Sequence, residues 1–161
     1  ETLDQIKLAT KEFFNIFGYF SKSIIPPYFE ISLEILDSLK NNHIIAIQAS
    51  NRLVNSHYQR VKRIYFRKYN GFYWIPRTTR LDPHPDYGYY ADSCLKDIKY
   101  AFDCKMPAVI DFHRVNISGR YNPGYRAKTL DELKELFEGI KGNWPDAKFI
   151  STQDLIKLCQ A

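Results

Sequence analysis

The sequence has few cysteines, no long apolar run and no recognisable metal-ligand spacing, and each absence excludes a class of protein. No apolar stretch approaches the roughly 20 residues that span a bilayer, and no signal-peptide pattern is present. The three cysteines, Cys94, Cys104 and Cys159, lack the spacing of a zinc site or a redox pair. None of the four histidines pairs with another at the i, i+4 spacing of a helical metal site. We therefore expect buried free thiols, no membrane partner and no cofactor bound by this chain alone.

The composition is that of a globular chain with one domain, residues 1–161. This length suffices for one hydrophobic core, 45% of the residues are apolar, and no tract is of low complexity. The net charge is +5, and much of the basic charge lies between Arg60 and Arg80. Such a patch attracts phosphates or acidic glycans, or it is simply a solvated face.

Short apolar runs alternate with helical patterns along most of the chain, which favours an α/β fold. Buried core strands are predicted at residues 22–25, 44–49, 108–112 and 147–150. Helices are predicted between them, including one that begins at a capping box on Thr129. About four parallel core strands with flanking helices form either an open sheet or about half of a (β/α) barrel.

Residues 57–76 depart from this alternation and predict an inserted β-hairpin. Asn70-Gly71, the strongest short hairpin signal, separates the predicted strands 61–69 and 72–75. Basic and aromatic side chains interleave along both strands. The hairpin is then an amphipathic flap over a core or a surface that contacts a glycan. Nucleic-acid binding is the alternative that we expect least.

The most informative strand ends on a group of polar residues. The run from Pro107 to Phe112 is followed by His113, Arg114 and Asn116. Ligands bind and catalysis occurs at the carboxyl ends of strands in alternating strand–helix folds. A histidine there suits a general acid, because its pKa lies near working pH. The alternative is a buried histidine that only satisfies backbone groups.

Four stretches resemble the carboxyl-terminal half of the polysaccharide deacetylase-like (NodB-type) β/α barrels, in the order of that family, and together they cover nearly all of the chain. The strand Val-Ile-Asp-Phe-His at residues 109–113 is similar to the family's strand ending Leu-x-His. The other three are Ile-Pro-Pro-Tyr-Phe-Glu at 25–30, similar to an Arg-Pro-Pro-Tyr-Gly segment; Ile-Ile-Ala-Ile-Gln at 44–48; and the closing helix and strand at 128–133 and 144–151.

The resemblance implies a metal-dependent hydrolase that removes acetyl groups from a glycan, with His113 as its general acid. The family's paired-aspartate strand end and its His-x-x-x-His pair have no counterpart here, and Ile25 stands in the position of a motif arginine. A zinc-like divalent metal is therefore implied only for a complete family member. We expect this chain to be inactive alone and to require a missing amino-terminal half or self-association, since a half-barrel leaves open strand edges.

Five residues are candidates for the site, each with a structural alternative. His113 is the predicted catalytic residue. Tyr28, rigidly placed after two prolines, lines the substrate groove of the family or plugs the mouth of a barrel. Arg114 binds a carboxylate or fixes its loop. Asn116 orients His113 or a substrate hydroxyl, or bonds only its own backbone. Asp111 holds the imidazole tautomer from the same strand face, or is an interior polar group.

Other polar residues carry weaker expectations. Asp82 and His84 could supply two metal ligands, but an ordered loop without metal is more expected from one such pair. Gln48, Ser50 and Asn51 follow a predicted strand and could line a groove. The alternatives to catalysis are a glycan-binding or degenerate deacetylase-like module and, less expected, binding of nucleic acid by the hairpin.

Overall fold

The computed structural model describes residues 2–120 and 122–160, and the fold they form is mixed α/β, as predicted. Within these residues the sheets combine parallel and antiparallel pairs and close no barrel. Contacts divide the chain into a first unit, up to Pro76 and again from Ile150 onward, and a second unit, Arg77–Phe149. The single domain expected from the sequence stays a prediction.

The elements follow one another along the chain with short connections. The helices are α1 (Thr2–Phe17), α2 (Leu36–Asn41), α3 (Ala91–Asp103), α4 (Val115–Ser118), α5 (Pro123–Asn143) and α6 (Thr152–Leu158). The strands are β1 (Ser23–Ile24), β2 (Ile31–Ser32), β3 (Ala46–Ile47), β4 (Arg52–Val54), β5 (Arg60–Arg63), β6 (Arg67–Tyr69), β7 (Phe72–Trp74), β8 (Thr79–Leu81) and β9 (Ile110–Phe112). Two short 3-10 turns, Pro27–Phe29 and Leu33–Ile35, flank β2.

The first unit contains two small sheets around one core. In the sheet of order β1-β3-β7-β6 the first three strands run parallel. Strands β1 and β3 lie within the segments predicted as strands at residues 22–25 and 44–49, although each is short. The second sheet has the order β2-β4-β5. Trp74 and Phe72 are the largest fully buried side chains and pack in one cluster with Leu39, Ile47 and Leu53. Within the described residues no helix is both long and apolar enough to cross a membrane.

The predicted hairpin is present but shorter than expected. Strands β6 and β7 pair antiparallel around Asn70-Gly71, whose φ values of 48° and 87° suit this tight turn. The long predicted strand breaks at residues 64–66, because Ile64 is fully buried and its N–H donates to the carbonyl of Asn51. Strand β5 therefore pairs antiparallel with β4 instead of continuing into β6.

The second unit is built on two parallel strands and two long helices. Strands β8 and β9 pair in parallel, and helices α3 and α5 share a core that includes Leu81, Ile98, Leu136 and Ile140. Strand β8 is not among the strands predicted from the sequence.

The capping prediction for α5 was wrong. The helix begins at Pro123, because the side chain of Asn122 accepts the N–H of Tyr125 and Pro123 suits the first helical position. Thr129, the predicted cap, is fully buried inside the helix. The structure therefore has two more helical turns ahead of the predicted start.

Two further predictions require correction. Four parallel core strands were expected, but residues 147–150 form no strand. After Pro145 the chain turns, so that the N–H of Ala147 donates to the carbonyl of Trp144 and Phe149 remains exposed. The cysteines are all free, yet only Cys94 is buried, where burial raises the pKa of its thiol. The other two, Cys104 and Cys159, are exposed.

Candidate functional site

The carboxyl ends of the two strands of the second unit bring a carboxylate and an imidazole together. Leu81 and Phe112 are register partners in the parallel pair β8–β9. Asp82 and His113 directly follow them, so both side chains lie at the same sheet edge. This confirms the predicted position of His113 at a strand end. Its side chain is 43% exposed, whereas that of Asp82 is only 6% exposed.

Asp82 is the centre of the polar contacts at this edge. Its Oδ2 lies 3.4 Å from Nδ1 of His113 and accepts a hydrogen bond of 2.5 Å from Nη2 of Arg80. Its Oδ1 accepts a hydrogen bond of 3.1 Å from the side-chain amide of Asn116. Both oxygens of a buried carboxylate thus have partners, which is the condition for keeping such a charge in the folded state.

Asn116 reaches this carboxylate because the chain turns after β9. Arg114 adopts helical φ and ψ and caps the short helix α4, so Asn116 lies one turn from His113 and on the same side. The N–H of Asn116 also donates to the carbonyl of His113. The residues after β9 therefore form a helical turn and not an extended segment.

Tyr125 extends the hydrogen bonds away from the strands. Its hydroxyl donates to Oδ1 of Asn116 at 3.2 Å, so Tyr125, Asn116 and Asp82 form one connected chain of donors and acceptors. Burial raises the pKa of the Tyr125 phenol above its ordinary value, and the negative charge of Asp82 adds to that shift. Tyr125 is therefore neutral at physiological pH and remains a hydrogen-bond donor.

An aromatic wall borders this polar group. The guanidinium of Arg80 lies over the rings of Tyr87 and Tyr89, at 5.3 and 5.0 Å from their centroids. The ring of His84 contacts those of Tyr87 and Tyr125, with centroids 5.5 and 5.6 Å apart. These side chains border an open cavity of about 720 Å³, a volume in the size range of small-molecule sites. Its lining comprises Arg80, Asp82, His84, Pro85, Tyr87, His113, Val115, Asn116, Ser118, Gly119, Asn122 and Tyr125.

The charges in this cavity suit proton transfer at His113. Arg80 already compensates the buried carboxylate of Asp82, so that carboxylate is paired whether His113 is protonated or neutral. Because Nδ1 faces Asp82, Nε2 is the nitrogen of His113 that remains for a ligand in the cavity. The arrangement can therefore orient an imidazole and exchange a proton with a bound molecule.

The other candidate residues, Asp111, Arg114 and Tyr28, do not line the cavity beside His113. Asp111 pairs with Arg77 through an ion pair of 3.1 Å and does not line the cavity, so Asp82 is the carboxylate beside His113. Arg114 is exposed and also outside the lining. Tyr28 belongs to the first unit, where its side chain is 94% exposed and its φ is 53°.

Gln48, Ser50 and Asn51 also belong to the first unit, where they make internal hydrogen bonds. Oε1 of Gln48 accepts from the hydroxyl of Thr152, and the carbonyl of Ser50 accepts from the indole of Trp74. The carbonyl of Asn51 accepts from Ile64. These contacts account for the three polar residues as parts of the scaffold.

Sequence reasoning missed the role of Asp82, Arg80 and Tyr125. It considered Asp82 only as a metal ligand beside His84. In the structure, Nδ1 of His84 accepts the N–H of Asp86 instead, and the described residues contain no group of three or more His, Cys, Asp or Glu side chains able to hold a metal. The run Thr79-Arg80-Leu81 is too short to predict this strand, so the sequence offers no local signal for Asp82 at a strand end.

Comparisons with known proteins assign no family to this arrangement. No protein-family model, no curated protein and no solved structure matches the chain.

Proposed function

We propose that this chain carries the general-acid part of a hydrolytic site that removes acetyl groups from a glycan, with His113 as the acid. The observation that supports this proposal best is the pairing of His113 with the buried carboxylate of Asp82 at the edge of an open cavity. The sequence resemblance to the polysaccharide deacetylase-like barrels supplies the reaction class, and the parallel pair β8–β9 is compatible with part of such a barrel.

In this proposal His113 acts when the reaction intermediate breaks down. Water adds to the acetyl carbonyl, and a base must take its proton. The C–N or C–O bond to the sugar then breaks, and the imidazolium of His113 gives its Nε2 proton to the departing nitrogen or oxygen. Asp82 is a positioning residue, since it holds the Nδ1 side of the ring and leaves Nε2 toward the ligand.

The cavity offers both kinds of contact that sugars require. Aromatic rings of Tyr87 and Tyr125 suit the apolar faces of a pyranose, and the side chain of Asn122 and the imidazole of His84 suit its hydroxyl groups. Arg114 and Tyr28 remain proposed substrate contacts.

The described residues do not fit a resident divalent metal, because they provide no group of three suitable ligands. The resemblance implies that an amino-terminal half supplies the metal ligands and the base, and we propose the same for this protein.

A second candidate is a glycan-binding module without catalysis, which the open cavity with its aromatic and polar lining also suits. The two candidates share the cavity and the ligand class. They differ in whether His113 transfers a proton or only binds.

Titration with N-acetylated chito-oligosaccharides, followed by NMR of the histidine side chains, tests both. We expect saturable shifts of the His113 imidazole signals, abolished in Val115→Trp, which places a bulky ring at an exposed position of the cavity lining. The exposed His57 of the first unit is the internal control, because its imidazole signals should not shift. Absence of any shift at His113 at millimolar ligand would overturn both candidates.

Acetate release separates the two candidates when it is measured on a chain that also carries the proposed amino-terminal half, because this chain alone is expected to be inactive under both. Release that falls about a hundredfold or more in His113→Gln, but is unchanged in His57→Gln, supports the acid role. Binding without release assigns the chain to the glycan-binding function. Release that is unaffected by His113→Gln contradicts the acid role.

A further inference from the structure

We propose that the exposed strands β5 and β6 of the first unit form a binding surface for an acidic polysaccharide chain. The basic residues of these two strands, named here the basic strand surface, are Arg60, Lys62, Arg63, Arg67 and Lys68. Neighbours along each strand point to opposite faces, so the positive charge surrounds both sides of these outer strands. This surface lies in the first unit, and its proposed role does not depend on the function proposed for His113.

The charge of this segment is of one sign. The sequence contains no aspartate or glutamate between Asp37 and Asp82, although the whole chain has 18 acidic residues against 23 basic ones. Within the described residues, no side chain of the basic strand surface lies within ion-pair distance of a carboxylate. The surface therefore presents five positive charges that the described part of the fold does not compensate.

Strand β5 places its charges at an accessible sheet edge. It is the outer strand in the order β2-β4-β5, and all four of its residues are exposed. Its pairing with β4 sets Arg63 directly opposite Arg52, a like-charge pair that costs stability. Glu30 compensates Arg52 at 2.9 Å, whereas Arg63 has no such partner among the described residues.

Edge protection does not explain this arrangement. Natural edge strands use charged residues to prevent association with other strands, and lysine serves well for this purpose. Charges of either sign repel a second copy, so protection does not require that the whole segment lack acids. An extended polyanion, in contrast, gains from each additional positive charge along the strands.

Cation–π contacts join the two strands and indicate the class of polyanion. Nζ of Lys62 lies 4.5 Å and the guanidinium of Arg67 6.0 Å from the centroid of the Tyr69 ring, and Nζ of Lys68 lies 5.3 Å from that of Tyr73. Proteins that bind single-stranded nucleic acid stack bases on free aromatic faces. In this segment the cations are already held beside the rings of Tyr69 and Tyr73, and their exposed positive charges suit a ligand recognised by its carboxylate or sulfate groups.

The exposed rings beside the surface suit a sugar chain. Tyr58 is 80% exposed next to β5, and Tyr65 lies half-exposed between β5 and β6. Their positions at the two ends of a cationic strand would allow contacts with pyranose rings while Arg60 and Lys62 pair with acidic groups. Exposed rings beside positive charges are therefore the combination that an acidic polysaccharide would contact.

Fluorescence anisotropy of the whole chain with labelled polygalacturonate oligomers tests the proposal. We expect binding that weakens as salt is added, because each ion pair displaces counterions. The triple variant Arg60→Gln, Lys62→Gln, Arg63→Gln should bind about tenfold more weakly, as expected for the loss of three exposed ion pairs. The double variant Arg67→Gln, Lys68→Gln provides an independent measurement from the neighbouring strand.

A matched control removes the same charge elsewhere. Lys7→Gln, Lys11→Gln, Lys141→Gln changes three exposed helical lysines, so its net charge equals that of the triple variant. We expect its affinity to stay within about twofold of the parent. Circular dichroism confirms that each variant is folded.

Four outcomes of the binding measurements decide whether the proposal stands. Binding that falls in both surface variants and not in the control supports it. No binding of polygalacturonate beyond that of neutral dextran overturns it, as does an equal loss in the control, which indicates non-specific attraction. Tighter binding of a single-stranded oligonucleotide than of polygalacturonate also overturns it and assigns the surface to nucleic acid.

Discussion

The carboxylate of Asp82 has an electrostatic effect on the phenol of Tyr125 that can be measured. Its negative charge is the second cause, after burial, of the raised pKa of Tyr125. Asp82→Asn removes this charge and leaves the shape of the side chain almost unchanged. We expect the pKa of Tyr125 to fall toward its ordinary value, which NMR of the tyrosine ring carbons measures over a pH titration.

Asp111→Asn is the matched control, because Asp111 pairs with Arg77 and lies outside the cavity. It should leave the titration of Tyr125 unchanged. An unchanged titration in Asp82→Asn would contradict the electrostatic link between Asp82 and the phenol. Tyr125→Phe identifies the signal among the twelve tyrosines.

The raised pKa of Tyr125 also predicts how stability depends on pH. A phenol whose pKa is higher in the folded chain contributes stability below its unfolded value, about 10, and that contribution is lost as pH rises through the folded value. Tyr125→Phe should therefore weaken the decline in the free energy of unfolding above about pH 10, and leave its pH dependence at neutral pH unchanged. Urea unfolding across this range measures the difference. A parallel decline in both proteins would contradict the assignment.

Asn116 stabilises the site by satisfying two buried groups at once. Asn116→Ala leaves Oδ1 of Asp82 and the hydroxyl of Tyr125 without this partner. We expect a loss of about 2 kcal/mol in the free energy of unfolding. Exposed Arg114, two residues earlier, is the control, and Arg114→Ala should change stability by less than about 0.5 kcal/mol. Equal losses in the two variants would show that Asn116 has no special contribution.

At the scale of elements, periodicity predicted the presence of helices better than their beginnings. The pattern of Leu133, Leu136 and Ile140 identified α5, but Asn122 and Pro123 start the helix ahead of the predicted cap on Thr129. Both signals exist in the sequence, and burial decides between them, because Thr129 faces the core.

Strand predictions failed where pairing depends on distant residues. Strand β8 has only three residues, and its parallel partner β9 lies beyond the whole of α3. Local sequence therefore predicted His113 and its strand end, but it could not identify Asp82 as the neighbour. Residues 147–150 carry a strand-like pattern, yet no described strand pairs with them.

Two glycines of α5 provide a test of how closely α3 and α5 pack. A Cβ added at Gly139 would lie 2.6 Å from Cδ1 of Leu95, whereas one at Gly142 meets no atom within 4 Å. Alanine favours the helix at both positions, but at Gly139 it forces Leu95 to move. We expect Gly139→Ala to destabilise by about 1 kcal/mol and Gly142→Ala to stabilise by about 0.5 kcal/mol. Thermal unfolding measures both, and a gain at Gly139 would contradict the close helix approach.

At the scale of the whole molecule, the first unit is discontinuous in sequence. Its carboxyl-terminal part returns after the second unit, where Ile156 of α6 is 4% exposed and the hydroxyl of Thr152 donates to Oε1 of Gln48. The entropic cost of closing a loop grows only slowly with its length, so contacts between segments this distant in sequence can still stabilise the folded unit. The last helix is therefore part of the first unit's stability and not an appendage.

Removal of α6 tests this role. A chain ending at Phe149 loses the burial of Ile156 and the hydrogen bond to Gln48, and we expect its first unit to be destabilised by about 3 kcal/mol. Trp74 is buried in the first unit and Trp144 lies in the second, so a Trp144→Phe background makes the fluorescence report the first unit alone. A chain ending at Leu158 keeps α6 and is the control. Identical urea midpoints for the two truncations would contradict the role of α6, because only the shorter chain lacks the contacts that join residues 48 and 152.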